Sequence, residues 1–261
     1  MNTQSTKSKM TNFGFETVTL SEKVRRVNGV FESVAPRYDL MNDLMSGGIH
    51  RLWKRYLIDR LAPRPGEAFL DVAGGTGDVA GAFLKRADVV ARRRGSAKNA
   101  SAVILDLNQN MLDAGQKRWD LKQYKNRLSW ICGDAMDLPF EDNAFDALCI
   151  SLGIRNVADR PKALSELRRV LKPGGRLAIL ELGHMQIPAL KRAYDAYSFQ
   201  VIPRMGKAIT GDRASYQYLV ESIRRFPEAE TFKGEIETAD FQHVTVSHLT
   251  GGIATLYCGC T

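Results

Sequence analysis

Polar residues dominate the first 20 positions, which are expected to be mobile. Apolar positions then recur at helical spacing over 22–34 and again over 49–61. In the second helix Leu52, Trp53, Tyr56, Leu57 and Leu61 are expected on one face. Arg51, Lys54, Arg55, Asp59 and Arg60 are expected on the other, and Pro63 and Pro65 end the helix. From there the pattern changes to short apolar runs separated by helical ones. AFLDV (68–72), AVILD (102–106), LSWIC (128–132), FDALCIS (145–151) and GRLAILEL (175–182) read as strands. Helices are expected from about Asp78, from Asn108 and over roughly 159–171. The basic segment VARRRGSAKNAS (90–101) reads as a surface loop.

Strands alternating with helices predict an α/β domain with a mainly parallel sheet. After residue 185 the chain turns aromatic, basic and largely helical, with a helix near 227–239 and two closing strands, HVTVSHL and IATLYCGC. No internal repeat is visible, so the expectation is a mobile segment over 1–20 and a single domain over 21–261. Within it, 21–66 would be an N-terminal helical flap, 67–185 the ligand-binding core, 186–226 a helical lid and 227–261 the closing helix and strands.

Composition narrows the function classes. Of 261 residues 44% are hydrophobic, enough for a sizeable core, and the net charge of +8 favours acidic partners or anionic surfaces. The first residues carry no apolar run of a secretory signal, and no run approaches the roughly 20 residues that cross a bilayer. Cys132, Cys149, Cys258 and Cys260, and the scattered His50, His184, His243 and His248, lack ligand-like spacing, so reduced thiols and no metal site are expected.

The candidate chemistry begins at DVAGGTGDVA (71–80), where a strand hands over to a helix. A phosphate loop needs Gly-Lys-Ser/Thr, but Asp78 follows Gly77. A dinucleotide site is harder to exclude, because Gly75-x-Gly77-x-x-Ala80 fits that fingerprint and Asp106 ends the next strand. Asp71, Asp78 and Asp134 crowd the same region with negative charge and favour a third ligand, S-adenosylmethionine, which carries no phosphate. Its ribose suits Asp106, its adenine suits Asp134 and the N–H of Ala135, and its cationic methionine end suits the glycine turn. An oxidoreductase, an RNA methyltransferase and a non-enzymatic assembly subunit are the rival classes, although no added RNA-binding domain is visible.

At this point the sequence resembles the UbiE family of quinone-biosynthesis methyltransferases. YDLMNDLMSGGIHRLWKR (38–55) and RVLKPGGRLAILEL (169–182) carry the match. LDVAGGTGDVA, ILDLNQNMLDAG, GDAMDLPFEDNAFD, ISLGIRNVADR, AYDAYSFQVIPRMG and SYQYLVESIRRFP extend it from about residue 12 onward. The resemblance implies a class I S-adenosylmethionine-dependent methyltransferase fold, Rossmann-like, with a seven-stranded mostly parallel sheet. It implies C-methylation of a polyprenylated quinol, either a 2-methoxy-6-polyprenyl-1,4-benzoquinol or demethylmenaquinol, with no nucleic-acid partner. By motif position it implies donor-binding roles for Thr76, Asp106, Asp134, Ala135 and Ser151, beside Gly75 and Gly77 of the turn. A cytoplasmic protein in peripheral contact with the inner membrane, within a quinone-biosynthesis complex, is the expected setting. The chain departs from the family pattern in the long basic segment 90–101, at Gly47 and in the tail LYCGCT.

Methylating a ring carbon requires phenolate character at an adjacent hydroxyl, and so a base or a cation near it. ISLGIRNVADR follows the fourth strand, where open α/β sheets place their chemistry. Arg155 is expected to stabilise the phenolate, directly or through water, and Asn156 to position the ring. Arginine is a poor base, so a water, His50 or Tyr194 are the candidate proton acceptors. In the flap, Tyr38, Met41 and Met45 would face donor or quinol. Gly47-Gly48 would form the bend, and Arg51, Lys54 and Arg55 would face water or lipid. The aromatic helices over 189–226 would hold the lipid tail.

Overall fold

The structure is a computed structural model and describes residues 9–34, 42–43 and 46–261. Tyr38, Met41 and Met45 lie outside the described residues. Residues 10–19, for which the sequence predicts mobility, form a hairpin: β1 (Met10–Phe13) runs antiparallel to β2 (Glu16–Thr19) around Gly14. Its partners are remote in sequence, which is why polar composition concealed it. The Phe13 ring stacks on Tyr218 with centroids 4.1 Å apart, and Thr11 Oγ1 donates to the Ala158 carbonyl.

Two helices follow, α1 (Leu20–Val34) and α2 (His50–Leu61). Gly47 and Gly48 turn the chain into α2 with φ of 57° and 77°, a left-handed region that glycine enters without strain. The buried stripe of α2 is His50, Trp53, Leu57, Ile58 and Leu61, one step round from the expected face. Leu52 and Tyr56 point outward, and Leu52 is 63% exposed. Lys54, expected outside, is folded under α2.

The apolar runs become β3 (Ala68–Val72), β4 (Ser101–Asp106), β5 (Leu128–Cys132), β6 (Phe145–Ser151) and β7 (Leu171–Leu182). Between them lie α3 (Asp78–Arg94), α4 (Gln109–Gln116) and α5 (Arg160–Val170). The helix α3 runs through the first part of the basic segment read as a loop. Arg92, Arg93 and Arg94 sit in its last turn, where cations favour the negative end of the helix dipole, and Gly95 closes it at φ 62°. Next come α6 (Pro188–Ala196), a π-helical turn over Tyr197–Val201, α7 (Ile202–Thr210), α8 (Arg213–Arg225) and α9 (Ala229–Thr238). The chain closes with β8 (Gln242–Leu249) and β9 (Ala254–Cys260).

Seven strands form one sheet in the order β5-β4-β3-β6-β7-β9-β8, parallel through β7, with β9 antiparallel to both neighbours. Consecutive residues of a strand face opposite sides. Phe69 therefore meets Phe83 of α3, centroids 4.0 Å apart, while Leu70 joins the core under α5 and α9. The chain builds outward from β3 through β4 to β5 and then returns to β6. The strand order thus reverses between β3 and β6, and the crevice at their carboxyl ends is where such sheets bind ligands.

Candidate active site

The glycine turn leaves β3 at this crevice. Gly75 and Gly77 have φ of 53° and 76°, and a Cβ on Gly77 would come within 2.5 Å of Ile104 and 2.8 Å of the Trp130 ring. Close packing on β4 and β5 aims the turn at the end of β4. There the Gly75 N–H donates to Asp106 Oδ2 at 2.9 Å and the Asn108 N–H to Oδ1 at 2.8 Å. Burial raises the Asp106 pKa and these backbone donors oppose the rise. After β5, the Met136 N–H fixes Asp134 Oδ1 at 2.9 Å.

Gly75, Asp106, Asp134, Ala135 and Asn156 come together on one cavity of about 100 Å³. Val24, Val27, Asn28 and Phe31 of α1 cover it, and Asn108 Nδ2 holds α1 in place by donating to Asn28 Oδ1 at 2.7 Å. Asn156 Oδ1 accepts from the Tyr218 hydroxyl at 3.0 Å, whereas its buried Nδ2 has no partner. An apolar slot with carboxylates at its polar positions and a spare amide donor repels phosphate and accepts hydroxyl and amino groups. These residues fit S-adenosylmethionine: Asp106 for the ribose, Asp134 and Ala135 for the base.

Other expected residues stand elsewhere. Thr76 is buried and its hydroxyl accepts from Arg118 Nη1 at 3.3 Å, and Gly77 packs under the turn; neither lines the cavity. Ser151 also lies off the cavity wall, its buried hydroxyl without a partner. Arg155 does not line the cavity. Its Nη1 donates to Glu181 Oε1 and to the Leu152 carbonyl, both at 2.6 Å, and its own N–H donates to Glu181 Oε2. A guanidinium this buried needs an anion, and Glu181, fully buried on β7, supplies it. The lone acid in the apolar run LAILEL was the signal that this partner existed.

Behind the turn, Asp71 is fully buried, accepting from the Ala80 N–H and the Cys149 thiol. Burial, then the charge of Asp78, raises its pKa to about 7.

A second cavity, of about 310 Å³, lies on the other side of Leu152, which lines both. Its walls are aromatic and aliphatic: Trp53 of α2, Tyr194 of α6, Tyr197 of the π-helical turn, and Ile202, Leu219 and Ile223. Trp53 Nε1 donates to Thr250 Oγ1 at 2.8 Å. The polar exceptions are Asn42, Ser46, His50 and Thr250. Asn42 went unremarked in the sequence, though it sits within the stretch most specific to the family.

A seven-stranded sheet in this order, with a carboxylate-lined slot at its switch point, defines a class I S-adenosylmethionine-dependent methyltransferase. An S-adenosylmethionine-dependent methyltransferase from Aquifex aeolicus superposes with a TM-score of 0.53 at 15% identity, over 79% of this chain and 88% of its own. The [4+2]-cyclase SpnF superposes at 0.60 with 20% identity, over 88% of this chain and 77% of its own, so the fold alone does not fix the reaction. The sequence does more: a profile of the ubiE/COQ5 methyltransferase family matches residues 18–261, and the chain belongs to that family. It is 54% identical to the ubiquinone/menaquinone biosynthesis C-methyltransferase of Dinoroseobacter shibae, over 98% of both chains. It is 47% identical to the mitochondrial 2-methoxy-6-polyprenyl-1,4-benzoquinol methylase of Bos taurus, over 95% of this chain and 83% of that one.

Proposed function

We propose that this chain transfers a methyl group from S-adenosylmethionine to a ring carbon of a polyprenylated quinol in ubiquinone or menaquinone biosynthesis. The acceptor is a 2-methoxy-6-polyprenyl-1,4-benzoquinol, demethylmenaquinol or both. The observation that carries the reading is the pair of cavities, one polar-ended and one aromatic, that share Leu152 as a wall residue. When bound, the donor supplies an electrophilic methyl carbon on a sulfonium. Asp106, Asp134 and Ala135 hold its nucleoside, and the aromatic cavity takes a flat ring with an apolar tail. Holding the two partners in line is a large part of the catalysis.

In this reading Asn156 uses its spare amide to position the reacting groups. Arg155 is a positioning residue: through Glu181 it braces the turn that carries Leu152 and Asn156. Thr76, Gly77 and Ser151 shape the turn and strand end against which the donor rests.

The tail-bearing substrate implies a membrane surface. Among the described residues no helix is long and apolar enough to cross a bilayer. Ile49, at the wall of the aromatic cavity, is exposed with Leu52 and Tyr56 of α2, beside Arg51 and Arg55. Apolar side chains flanked by cations suit an anionic lipid surface, where the prenyl tail resides. Incubating the purified chain with methyl-labelled donor and each prenylated quinol, followed by mass spectrometry, tests the activity. Label on a ring carbon of either quinol supports it, and binding of the donor without methylation of either refutes it.

A further inference from the structure

Two residues on the wall of the aromatic cavity each carry a buried polar atom without a partner: His50 Nδ1 and Asn42 Nδ2. His50 is 5% exposed and Asn42 6%. Leaving such atoms unsatisfied carries the full desolvation penalty of each, so two of them on one largely apolar wall imply a polar group of the ligand. The other ring nitrogen of His50, Nε2, lies 2.8 Å from Asp43 Oδ1. Arg51 donates through Nε to Oδ1 at 2.9 Å and through Nη2 to Oδ2 at 2.6 Å. Those bonds, and then His50, hold the Asp43 pKa down to about 2. An ionised carboxylate can only accept, so Nε2 carries a hydrogen, and in the neutral ring Nδ1 is left with its lone pair.

We propose that His50 is the general base of this site, taking the hydroxyl proton of the quinol on Nδ1, with Asn42 Nδ2 donating to the oxygen that becomes charged. The proposal rests on the quinol-methylating reading above. The quinol O–H bond breaks, the proton moves to Nδ1, and the electron pair stays on oxygen, from where it enriches the adjacent ring carbon. The imidazolium then lies between the phenolate and the Asp43 carboxylate, so the charge it gains is matched on both sides. After the ring carbon has been methylated it loses its own proton to water, and Nδ1 returns the borrowed proton to oxygen. His50 ends neutral, and the single proton released comes from the ring carbon.

Arg155 and Tyr194 are poorer bases. Arg155 is committed to Glu181, and burial raises the Tyr194 pKa. Among the described residues, the titratable groups that share a cavity wall or a hydrogen bond with His50 are Asp43, Arg51, Lys54, Arg55 and Asp59 on its own segment, Asp78, Lys85 and Arg86 of α3, Arg118, and Tyr194 and Tyr197. Asp43 is the carboxylate in contact with the ring.

The test uses the full chain with a short-prenyl demethylmenaquinol and the matching benzoquinol. His50→Gln is expected to lower kcat by about 10²–10³-fold, the range of a lost general base, and to remove the acidic limb of the kcat–pH profile. Calorimetry should show its donor Kd little changed, and imidazole should restore turnover to His50→Gly. Asp43→Asn, at a half-exposed position, should move the acidic limb to lower pH, because the imidazolium loses its counter-charge. With labelled imidazole nitrogens, the quinol plus S-adenosylhomocysteine should shift the His50 Nδ1 resonance. A near-normal kcat in His50→Gln with an unchanged pH profile, or an unmoved limb in Asp43→Asn, overturns the base while wild-type turnover keeps the substrate reading. A wild-type chain that methylates neither quinol overturns both.

Discussion

Lys54 Nζ donates to Asp78 Oδ2 at 2.6 Å, fastening α2 to the first turn of α3 directly behind the glycine turn. Burial alone would raise the Asp78 pKa, but the charge and hydrogen bond of Lys54, with the charge of Arg118, leave it lowered. The pair therefore links the segment that carries His50 to the segment that carries the donor turn. Lys54→Met should destabilise the chain by about 1–2 kcal/mol, between the worth of exposed and buried pairs. Calorimetry checks this, and an unchanged Tm would show that the pair does not fasten the two helices.

Asp106 ends β4 with both oxygens bound to backbone N–H groups and its outer side on the donor cavity. Asp106→Asn keeps the shape but loses the charge and one acceptor. Donor affinity should fall by about 10–100-fold, as charge-assisted hydrogen bonds contribute about 1.5–3 kcal/mol. Titration calorimetry measures it, and a Kd equal to the wild-type value would remove Asp106 from the ribose site.

Arg155 and Glu181 make a test of bracing against substrate contact. Removing Arg155 alone leaves Glu181 buried and unpaired, which should cost about 3–5 kcal/mol. The double variant Arg155→Met/Glu181→Leu buries no charge and should recover most of that stability. If it also recovers turnover, Arg155 acts through the fold. A stable double variant without turnover would instead return Arg155 to the reacting groups.

Asp71 gives the stability a pH dependence. Its pKa rises from an ordinary 3.8 to about 7, so between those values the folded chain holds a proton that the unfolded chain has released. That contribution is full below the lower value, is lost as pH rises through the window, and is level above about 7. Asp71→Asn does not ionise, so its Tm relative to wild type should be higher at pH 8 than at pH 5. Equal differences at the two pH values would show that Asp71 stays ionised throughout.

Leu52 and Tyr56 should matter for lipid binding and not for folding. Burying a leucine-sized side chain contributes about 1.5–3 kcal/mol. Leu52→Ser/Tyr56→Ser should therefore weaken flotation with anionic vesicles by at least about tenfold while leaving the Tm unchanged. Full flotation by the double variant would place the lipid contact on another face.

The sheet was readable because each central strand is buried on both faces, so AFLDV and FDALCIS are largely apolar runs, interrupted by Asp71, Asp146 and Ser151. Gly75, Asp106, Asp134 and Ala135 were readable for a related reason: each sits in or just after the turn at the end of one of those strands. What the sequence concealed depends on contacts between distant segments. Phe13 finds Tyr218, Arg155 finds Glu181, and the wall that makes His50 and Asn42 a pair is completed by Tyr194 and Tyr197. The face of α2 slipped for the same reason, since Leu52 and Ile58 compete for the core and only the neighbouring helices decide between them.

The roof of the donor cavity has a consequence for biosynthesis. Val24, Val27 and Phe31 are made early, yet the cavity they cover also needs Gly153, Asn156 and Ala158. Lys23 seals that joint by donating to the carbonyls of Arg155 and Val157. During translation this joint must therefore wait for more than a hundred residues to emerge from the ribosome, while α1 has only the β1–β2 hairpin and then the Asn108 region to pack on. For that interval part of its apolar side is open to chaperones and proteases, and the cavity wall is complete only after Ala158 has been made.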